Sequence, residues 1–211
     1  MRRVFVDPGA PQRDAIEEAA TWILAGAVVA IPTDTLYGLA VDPFNADAVA
    51  RLFAIKGRDA ARALPLVAAD RRQVESTMGR LTGDAARLAE RFWPGPLTLV
   101  IPAPASLAAA VIGSGRTVGV RVPNHDVLRA VLAICGKPVT ATSANLSGQA
   151  PTEDPDRVER ELGRRVDFLL DTGATPGGAP STIVDVTRTP PTLVRAGAIP
   201  WDDIEACLHT V

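Results

Sequence analysis

The chain has 211 residues and a mass of 22.1 kDa, a length that fits one domain better than two. Hydrophobic residues make up 47% of the sequence and charged residues 22%, a composition that excludes a disordered chain. The formal net charge of −2 gives no overall attraction to nucleic acid or anionic membranes, so an anion site has to be local. No apolar run approaches the ~18 residues of a membrane span, and the N-terminus lacks the apolar stretch of a secretory signal. We therefore expect one domain over residues 1–211, located in the cytoplasm and without a membrane contact.

Helical and strand patterns alternate through the first half of the chain. Apolar residues at helical spacing predict helices over 14–25 and 85–93, and a third that starts after Asn45 or Asp47 and ends at Lys56. Gly57 follows this third helix and supplies a left-handed stop. A continuous apolar run predicts a buried strand over 27–31, and strands are also predicted over 64–68 and 97–101. The first of these strands leads into a hydroxyl-rich loop over residues 32–38.

The second half continues the alternation. We predict strands over 117–122 and 139–142, a helix over 126–135, and a final helix over 202–209. Later strand candidates cover 168–170, 182–186 and 193–195. Segments 150–156 and 172–180 are rich in Pro, Gly and Thr, which is typical of loops over a cleft. Together the elements predict an α/β or α+β domain around a mixed, twisted sheet.

Histidine and cysteine are too sparse to suggest a metal or hydrolase site. Cys135 and Cys207 lie in apolar, helical surroundings and are expected to be buried free thiols. His125 and His209 are the only histidines, and neither has a second histidine or a cysteine nearby, so we expect no zinc site. Ser143 lacks the Gly-x-Ser-x-Gly elbow, which argues against a serine hydrolase. His125 is most simply the residue that precedes a helix.

The common nucleotide-binding motifs are missing, but the chain has a set of side chains that could bind phosphate. There is no GxxxxGK[ST] and no GxGxxG between a strand and a helix. The run from Gly113 to Thr117 is either a turn before a strand or a loop whose amides meet phosphate. Cations and hydroxyl or amide side chains are predicted at strand ends and loop starts, where ligands of such sheets collect: Lys56, Arg58, Arg62, Arg116, Arg121 and Arg195, with Thr33, Thr35, Ser143, Asn145, Ser147 and Ser181.

Several of these residues also have a purely structural interpretation. Lys56 can complement the dipole of its own helix. Arg121 lies on the face of its strand opposite the apolar valines and is either solvated or directed into a cleft. Ser143 and Asn145 can simply form a turn. Tyr37, the only tyrosine, is more typical of a packed residue with a satisfied hydroxyl than of a catalyst.

Six motifs, taken in order, resemble the YrdC/Sua5 family. They are residues 32–39, Lys56-Gly57-Arg58, Arg121-Val122-Pro123, residues 143–148, residues 181–185 and residues 194–199. The lysine-x-arginine and serine-x-asparagine motifs are highly specific in combination with the other four. The resemblance covers approximately residues 15–200 and is to the short, single-domain form. One departure lies at Val67, where some members carry a threonine-contacting histidine.

The resemblance implies threonylcarbamoyl-AMP synthase activity. L-Threonine, bicarbonate and ATP would give L-threonylcarbamoyladenylate and pyrophosphate, for t6A modification at position 37 of tRNA. It also implies an open α/β mixed sheet with a basic concave cleft, Mg²⁺ carried by the phosphates, no resident metal, downstream tRNA threonylcarbamoyl-transfer proteins as partners, and a contact with tRNA. Lys56 and Arg58 would be catalytic. The implied ATP-binding set is Lys56, Arg58, Arg62, Thr117, Ser143, Asn145 and Arg195, and the implied threonine-binding set is Thr35, Arg121 and Ser181.

Two other functions remain open at this point. One is carbamoyl transfer through a carbamoyl-adenylate, as in related domains of hydrogenase maturation proteins. The other is a double-stranded RNA-binding module, which the net charge and the 4% aromatic content disfavour as a broad platform.

Overall fold

The computed structural model describes residues 1–57 and 63–209. The helices in these ranges are α1 (Arg13–Leu24), α2 (Ala46–Lys56), α3 (Arg71–Met78), α4 (Gly83–Phe92), α5 (Ala109–Ile112), α6 (Asp126–Cys135), α7 (Pro155–Leu162) and α8 (Trp201–His209). The strands are β1 (Arg2–Phe5), β2 (Val29–Ile31), β3 (Gly38–Ala40), β4 (Leu66–Val67), β5 (Leu97–Pro102), β6 (Thr117–Arg121), β7 (Val139–Thr140), β8 (Thr142–Ser143), β9 (Phe168–Asp171), β10 (Thr182–Asp185) and β11 (Thr192–Arg195).

The strands form two mixed sheets that share one stretch of chain. The first sheet has the order β1-β9-β2-β3-β8, and the second has the order β11-β10-β5-β6-β4-β7. Residues 139–143, which we call the junction segment, contribute β7 to the second sheet and β8 to the first. The Thr140 amide also donates to Val41 O at 3.0 Å, just beyond β3. The predicted α/β class and mixed pairing are confirmed, with the strands divided between two sheets at Ala141.

Both faces of β2, a central strand of the first sheet, are buried. Val28 and Ala30 join a cluster with α2 and the apolar face of the second sheet, whereas Val29 and Ile31 join a cluster with α1 and α6. Successive side chains of a strand point to opposite faces, so a strand covered on both sides reads as a continuous apolar run. This explains why residues 27–31 show no polar alternation.

Most predicted elements exist, with small shifts at their ends. The helix over 126–135 has the predicted bounds, and His125 precedes it and accepts the Leu128 amide hydrogen at 3.2 Å. The sequence analysis did not identify β1, β3, α3, α5 or α7, which are short or strongly polar. Cys135 is buried as expected, but Cys207 is only half-buried; both are free thiols. Among the described residues, no helix combines the length and apolar content needed to cross a membrane.

Candidate functional site

The C-terminal end of α2 places Lys56 in the interior. The Asn45 side chain caps the start of α2, and Gly57 ends it in the left-handed region with φ of +59°. Lys56 is only 5% exposed, and its Nζ donates to Ser143 O at 2.6 Å, Asn145 O at 2.7 Å and Asn145 Oδ1 at 2.9 Å. The lysine therefore does more than complement its own helix dipole, because its charge is held by a segment almost ninety residues further along the chain.

The residues after β8 form a turn that is stabilised by their own side chains. The Ser143 hydroxyl donates to Asn145 Oδ1, and Asn145 Nδ2 donates to Leu146 O at 3.0 Å and to Gln149 O. The Ser147 amide donates back to Lys56 O at 3.0 Å. The turn interpretation is therefore correct, and the same turn brings Ser143 and Asn145 to Lys56. We call Lys56, Ser143 and Asn145 the lysine group.

The loop between β2 and β3 is organised by Thr33. Its hydroxyl accepts the amide hydrogens of Thr35 at 3.0 Å and Leu36 at 3.1 Å, donates to Leu36 O at 2.7 Å, and lies 3.0 Å from the Thr35 hydroxyl. Thr35 O accepts from Gly177 N and Thr175 Oγ1, both at 2.8 Å. The segment 172–180 therefore packs against this loop.

Tyr37 is a packed residue with a satisfied hydroxyl, as predicted. Its side chain is fully buried, and its hydroxyl donates to Gly173 O at 2.8 Å and accepts from Thr172 N at 3.1 Å. Burial raises the pKa of Tyr37 to about 12. The phenol therefore stays protonated at neutral pH and holds the segment 172–180 in place.

Arg121 ends β6 and forms a buried ion pair with Asp34. Its Nη2 donates to Asp34 Oδ1 at 2.5 Å, and the second carboxylate oxygen accepts the Asn124 amide hydrogen at 3.1 Å. Burial lowers the pKa of the Arg121 guanidinium, Asp34 opposes this shift, and the nearby charge of Arg195 adds to the lowering. Arg121 is thus directed inward rather than solvated.

Arg195 and Ser181 contact each other at the edge of the second sheet. Arg195 Nη2 donates to Ser181 O at 2.7 Å and to Ser181 Oγ at 3.1 Å, and the Ser181 hydroxyl lies 2.8 Å from Thr98 Oγ1. Leu99 of β5 pairs with Val120 of β6, and the same register continued by one residue brings Thr98 next to Arg121. A Cβ at Gly119 would lie 3.1 Å from Thr98 Cγ2, so glycine leaves room for this threonine. We call Arg121, Asp34, Thr98, Ser181 and Arg195 the arginine group.

The loop that carries Thr33 and Thr35 links the two groups. Gly38, at its end, pairs with Ser143 of the lysine group, and Asp34 pairs with Arg121 of the arginine group. Thr117 stands apart, at the opposite end of β6 from Arg121 and about 13 Å away along the strand. The predicted ATP ligands Arg58 and Arg62 lie outside the described residues.

Sequence analysis missed Asp34 and Thr98 as members of the site. A signal for Asp34 was present, since it is an acidic residue between two threonines in a loop that leaves a core strand. Thr98 is the one polar residue in the otherwise apolar run 97–101, and alternation directs it away from the core. Neither signal identifies the partner, because Arg121 and Ser181 lie more than eighty residues away along the chain.

The described donors suit an anionic ligand better than a resident metal ion. Within residues 1–57 and 63–209, no three histidine, cysteine, aspartate or glutamate side chains come together as metal ligands. Asp34, the acidic member of the site, already accepts hydrogen bonds from Arg121 and from the Asn124 amide. Arginine suits bidentate contacts with carboxylates or phosphates, while hydroxyl groups orient the ligand.

Comparisons with known proteins place the chain in a family. A model for Sua5, YciO and YrdC proteins, described as "Telomere recombination", matches residues 21–197. The chain is 37% identical to the threonylcarbamoyl-AMP synthase of Pyrococcus abyssi over 204 residues, which cover 94% of this chain and 60% of the relative. It is also 37% identical to the threonylcarbamoyl-AMP synthase of Bacillus subtilis over 197 residues, which cover 93% of this chain and 57% of the relative.

A solved structure supports the same assignment. The crystal structure of P. abyssi Sua5 complexed with L-threonine matches with a TM-score of 0.93 and 34% identity, over 99% of this chain and 61% of that chain. The chain thus spans about three fifths of the length of these relatives. The family match over residues 21–197 and the 37% identity to both relatives show that the chain belongs to the Sua5/YciO/YrdC family.

Proposed function

We propose that the protein makes L-threonylcarbamoyladenylate and pyrophosphate from L-threonine, bicarbonate and ATP. The observation that carries this proposal is the contact between Arg195 and Ser181, with Arg121 close by. Arg195 is a proposed ATP ligand, whereas Ser181 and Arg121 are proposed threonine ligands. An amino acid and a nucleotide held by these residues would meet within one site. The names of the P. abyssi and B. subtilis relatives and the bound L-threonine in the P. abyssi structure support the same reaction.

The chemistry begins with carbamate formation. Bicarbonate gives CO₂ and hydroxide, and the neutral amine of threonine adds to this CO₂. The proton that the amine releases combines with the hydroxide, so the net products are a carbamate and water. A carbamate oxygen then attacks the α-phosphorus of ATP, and pyrophosphate leaves. In this scheme Arg121 binds the threonine carboxylate, and Thr35 and Ser181 orient the substrate with their hydroxyl groups.

The second step brings two anions together, so positive charge has to reduce their repulsion. We propose that Arg58 and Arg195 contact the phosphates, that Arg62 and Thr117 complete the ATP site, and that Mg²⁺ arrives bound to the ATP. Lys56 adds its charge and holds Ser143 and Asn145 in the orientation that receives the nucleotide. Fixed cations of this kind stabilise charge that develops in the transition state.

The product serves tRNA modification in this proposal. Threonylcarbamoyladenylate is an activated donor for t6A, so proteins that transfer the group to tRNA would consume it. The protein itself would also contact tRNA. The location proposed for this reaction is the cytoplasm. We also propose that residues 1–211 act as one domain, because the junction segment belongs to both sheets.

The test is a product assay with two matched arginine variants. Purified protein is incubated with MgATP, bicarbonate and each amino acid in turn, and the adenylate is identified by mass alongside pyrophosphate release. Arg195→Ala should lower the rate about a hundredfold, or ~3 kcal/mol, because one phosphate-binding cation is lost. Arg188→Ala is the control: Arg188 is exposed, and its carboxylate contact is with Asp185, outside the site. The proposal is contradicted if the folded protein makes no adenylate, and the role of Arg195 is contradicted if both variants keep full activity.

A further inference from the structure

The pair of Asp34 and Arg121 connects two parts of the molecule that carry different ligands of the proposed site. Asp34 lies in the loop after β2, and Arg121 ends β6 in the other sheet. Their side chains are only 12% and 9% exposed. Both carboxylate oxygens are engaged, one by Arg121 and one by the Asn124 amide. This buried carboxylate has no role in the proposed reaction described above.

Only part of the Arg121 guanidinium is used by this pair. Its described hydrogen bond comes from Nη2, and Nε and Nη1 have no acceptor among the described residues. Within the same residues, every fully covered side-chain nitrogen or oxygen has a hydrogen-bond partner. The nitrogens Nε and Nη1 therefore keep some accessible surface, through which a ligand could accept their hydrogens. Nη2 gives one hydrogen to Asp34, and its second hydrogen lies parallel to an N–H of either Nε or Nη1, so a planar pair of donors that matches a carboxylate remains.

Asp34 also holds the loop that carries Thr35. Thr33 and Thr35 flank it. The Thr33 hydroxyl accepts the amide hydrogens of both Thr35 and Leu36. The loop is short and internally bonded, so a displacement of Asp34 would move Thr35 as well. The carboxylate thus sets the position of Thr35 relative to Arg121, and both are proposed to bind the substrate threonine.

We propose that Asp34 is a positioning residue for the amino-acid substrate. It holds the Arg121 guanidinium and the Thr35 loop in the geometry that receives the substrate carboxylate. Ordering a long arginine side chain costs conformational entropy. Because the ion pair already orders Arg121 in the free protein, this cost does not weaken substrate binding. This inference rests on the proposed function, and it predicts a defect in threonine use that is separate from ATP use.

The first test is Asp34→Asn. Asparagine keeps the shape of the side chain but has an NH₂ donor in place of one oxygen, so it cannot accept at both of the positions that Arg121 and the Asn124 amide use. We expect the KM for threonine to rise about tenfold or more, while the KM for ATP changes less than twofold. A tenfold change is what the loss of one charge-assisted contact produces.

Asp42→Asn is the matched control. Asp42 is also a buried carboxylate with one cation and one backbone amide, since it accepts from Lys137 Nζ at 2.6 Å and from Phe44 N at 2.9 Å. Both variants lose the charge of a buried carboxylate, but the Lys137 side chain is 32% exposed and that of Arg121 only 9%, so thermal unfolding should report a loss of stability in both, larger for Asp34→Asn. Only Asp34→Asn should change the KM for threonine. If it does not fold, Asp34→Glu keeps the charge but displaces the carboxylate, and it should show the same selective defect.

A double-mutant cycle with Arg121→Lys tests whether Asp34 acts through Arg121. The effect of Asp34→Asn should largely disappear in the Arg121→Lys background, because the group it positions is gone. The inference is overturned if the threonine KM of Asp34→Asn matches that of the unmutated protein, if both KM values rise equally, or if the effect persists undiminished with Arg121→Lys. An unmutated protein that makes no adenylate with threonine would overturn the proposed function and this inference together, whereas an active one with an unaffected Asp34→Asn overturns the inference alone.

Discussion

Lys56 shows how a buried charge is tolerated in this molecule. An ammonium group that leaves water without partners destabilises a fold by several kcal/mol. Here two backbone carbonyls and one amide oxygen accept its hydrogen bonds. Removal of the side chain would leave these acceptors without the donor that holds them, so a Lys56 variant would disturb the turn at 143–149 as well as the charge. This is why the exposed Arg195 provides the cleaner activity test.

The two cysteines should differ sharply in reactivity. Burial raises the pKa of Cys135 to about 11, with Lys137 opposing and Asp42 adding to the shift. A raised pKa keeps the thiol protonated below that pH, so at pH 8 about one thousandth of it would be thiolate, the reactive form. Titration with a chromogenic disulfide reagent at pH 8 should detect one fast thiol, Cys207, and release Cys135 only after denaturation. Cys207→Ser should abolish the fast phase, and two fast thiols in the folded protein would contradict the burial of Cys135.

At the scale of elements, α2 delivers Lys56 through signals at both of its ends. Asn45 Oδ1 accepts the amide hydrogens of Asp47 and Ala48, both at 3.1 Å. Gly57 ends the helix where an L side chain would be strained. Leu52 and Phe53 pack into the core between these ends. Capping and packing together orient the last turn toward Ser143.

The Asn45 cap of α2 should contribute measurably to the free energy of unfolding. Asn45→Ala should lower the free energy of unfolding by about 1 kcal/mol, because two amide hydrogens lose their acceptor. Gln12→Ala is the control, since Gln12 precedes α1 and its side chain makes no capping hydrogen bond there. Chemical denaturation of both variants measures the difference. Equal stabilities for the two variants would show that the Asn45 side chain does not act as a cap.

The sequence analysis extended the loop before β3 one residue too far. The sequence predicted a loop through Gly38, but this residue begins β3 and pairs with Ser143. A Cβ at Gly38 would lie 3.3 Å from Thr142 O, so a glycine allows the two strands to approach closely. The short strand follows from pairing with a distant segment, which local propensity does not describe.

At the scale of the whole molecule, the junction segment connects the two sheets. Leu66 of β4 pairs with Thr140, and Leu39 of β3 pairs with Thr142. Thr140 Oγ1 accepts the Val41 amide hydrogen at 2.9 Å, and both residues are fully buried. This contact lies where the chain passes from one sheet to the other.

Thr140→Val should therefore destabilise the fold although the two side chains have nearly the same shape. The Val41 amide would lose its acceptor in a buried place, at a cost of about 1–3 kcal/mol. Thr140→Ser keeps the hydroxyl and loses only a methyl group, about 1 kcal/mol. Thermal and denaturant unfolding should rank the unmutated protein first, then serine, then valine. A valine variant as stable as the unmutated protein would show that this contact does not secure the junction.

The sequence alone was sufficient to predict those elements that depend on contacts between residues close together in the chain. The helical spacing over 126–135, the asparagine and glycine at the ends of α2, and the apolar run of β2 define elements through contacts within a few residues. Motif order was also sufficient to identify the family, because it depends on residue types and not on their coordinates.

Only the tertiary structure decided how these residues meet. The contacts of Lys56 with Ser143, Arg121 with Asp34, and Arg195 with Ser181 join positions 87, 87 and 14 residues apart. The burial that makes Asp34 significant also arises from strands brought together by the fold. Such contacts depend on sheet order and register, which are set by the packing of the whole core and are absent from any short window of sequence.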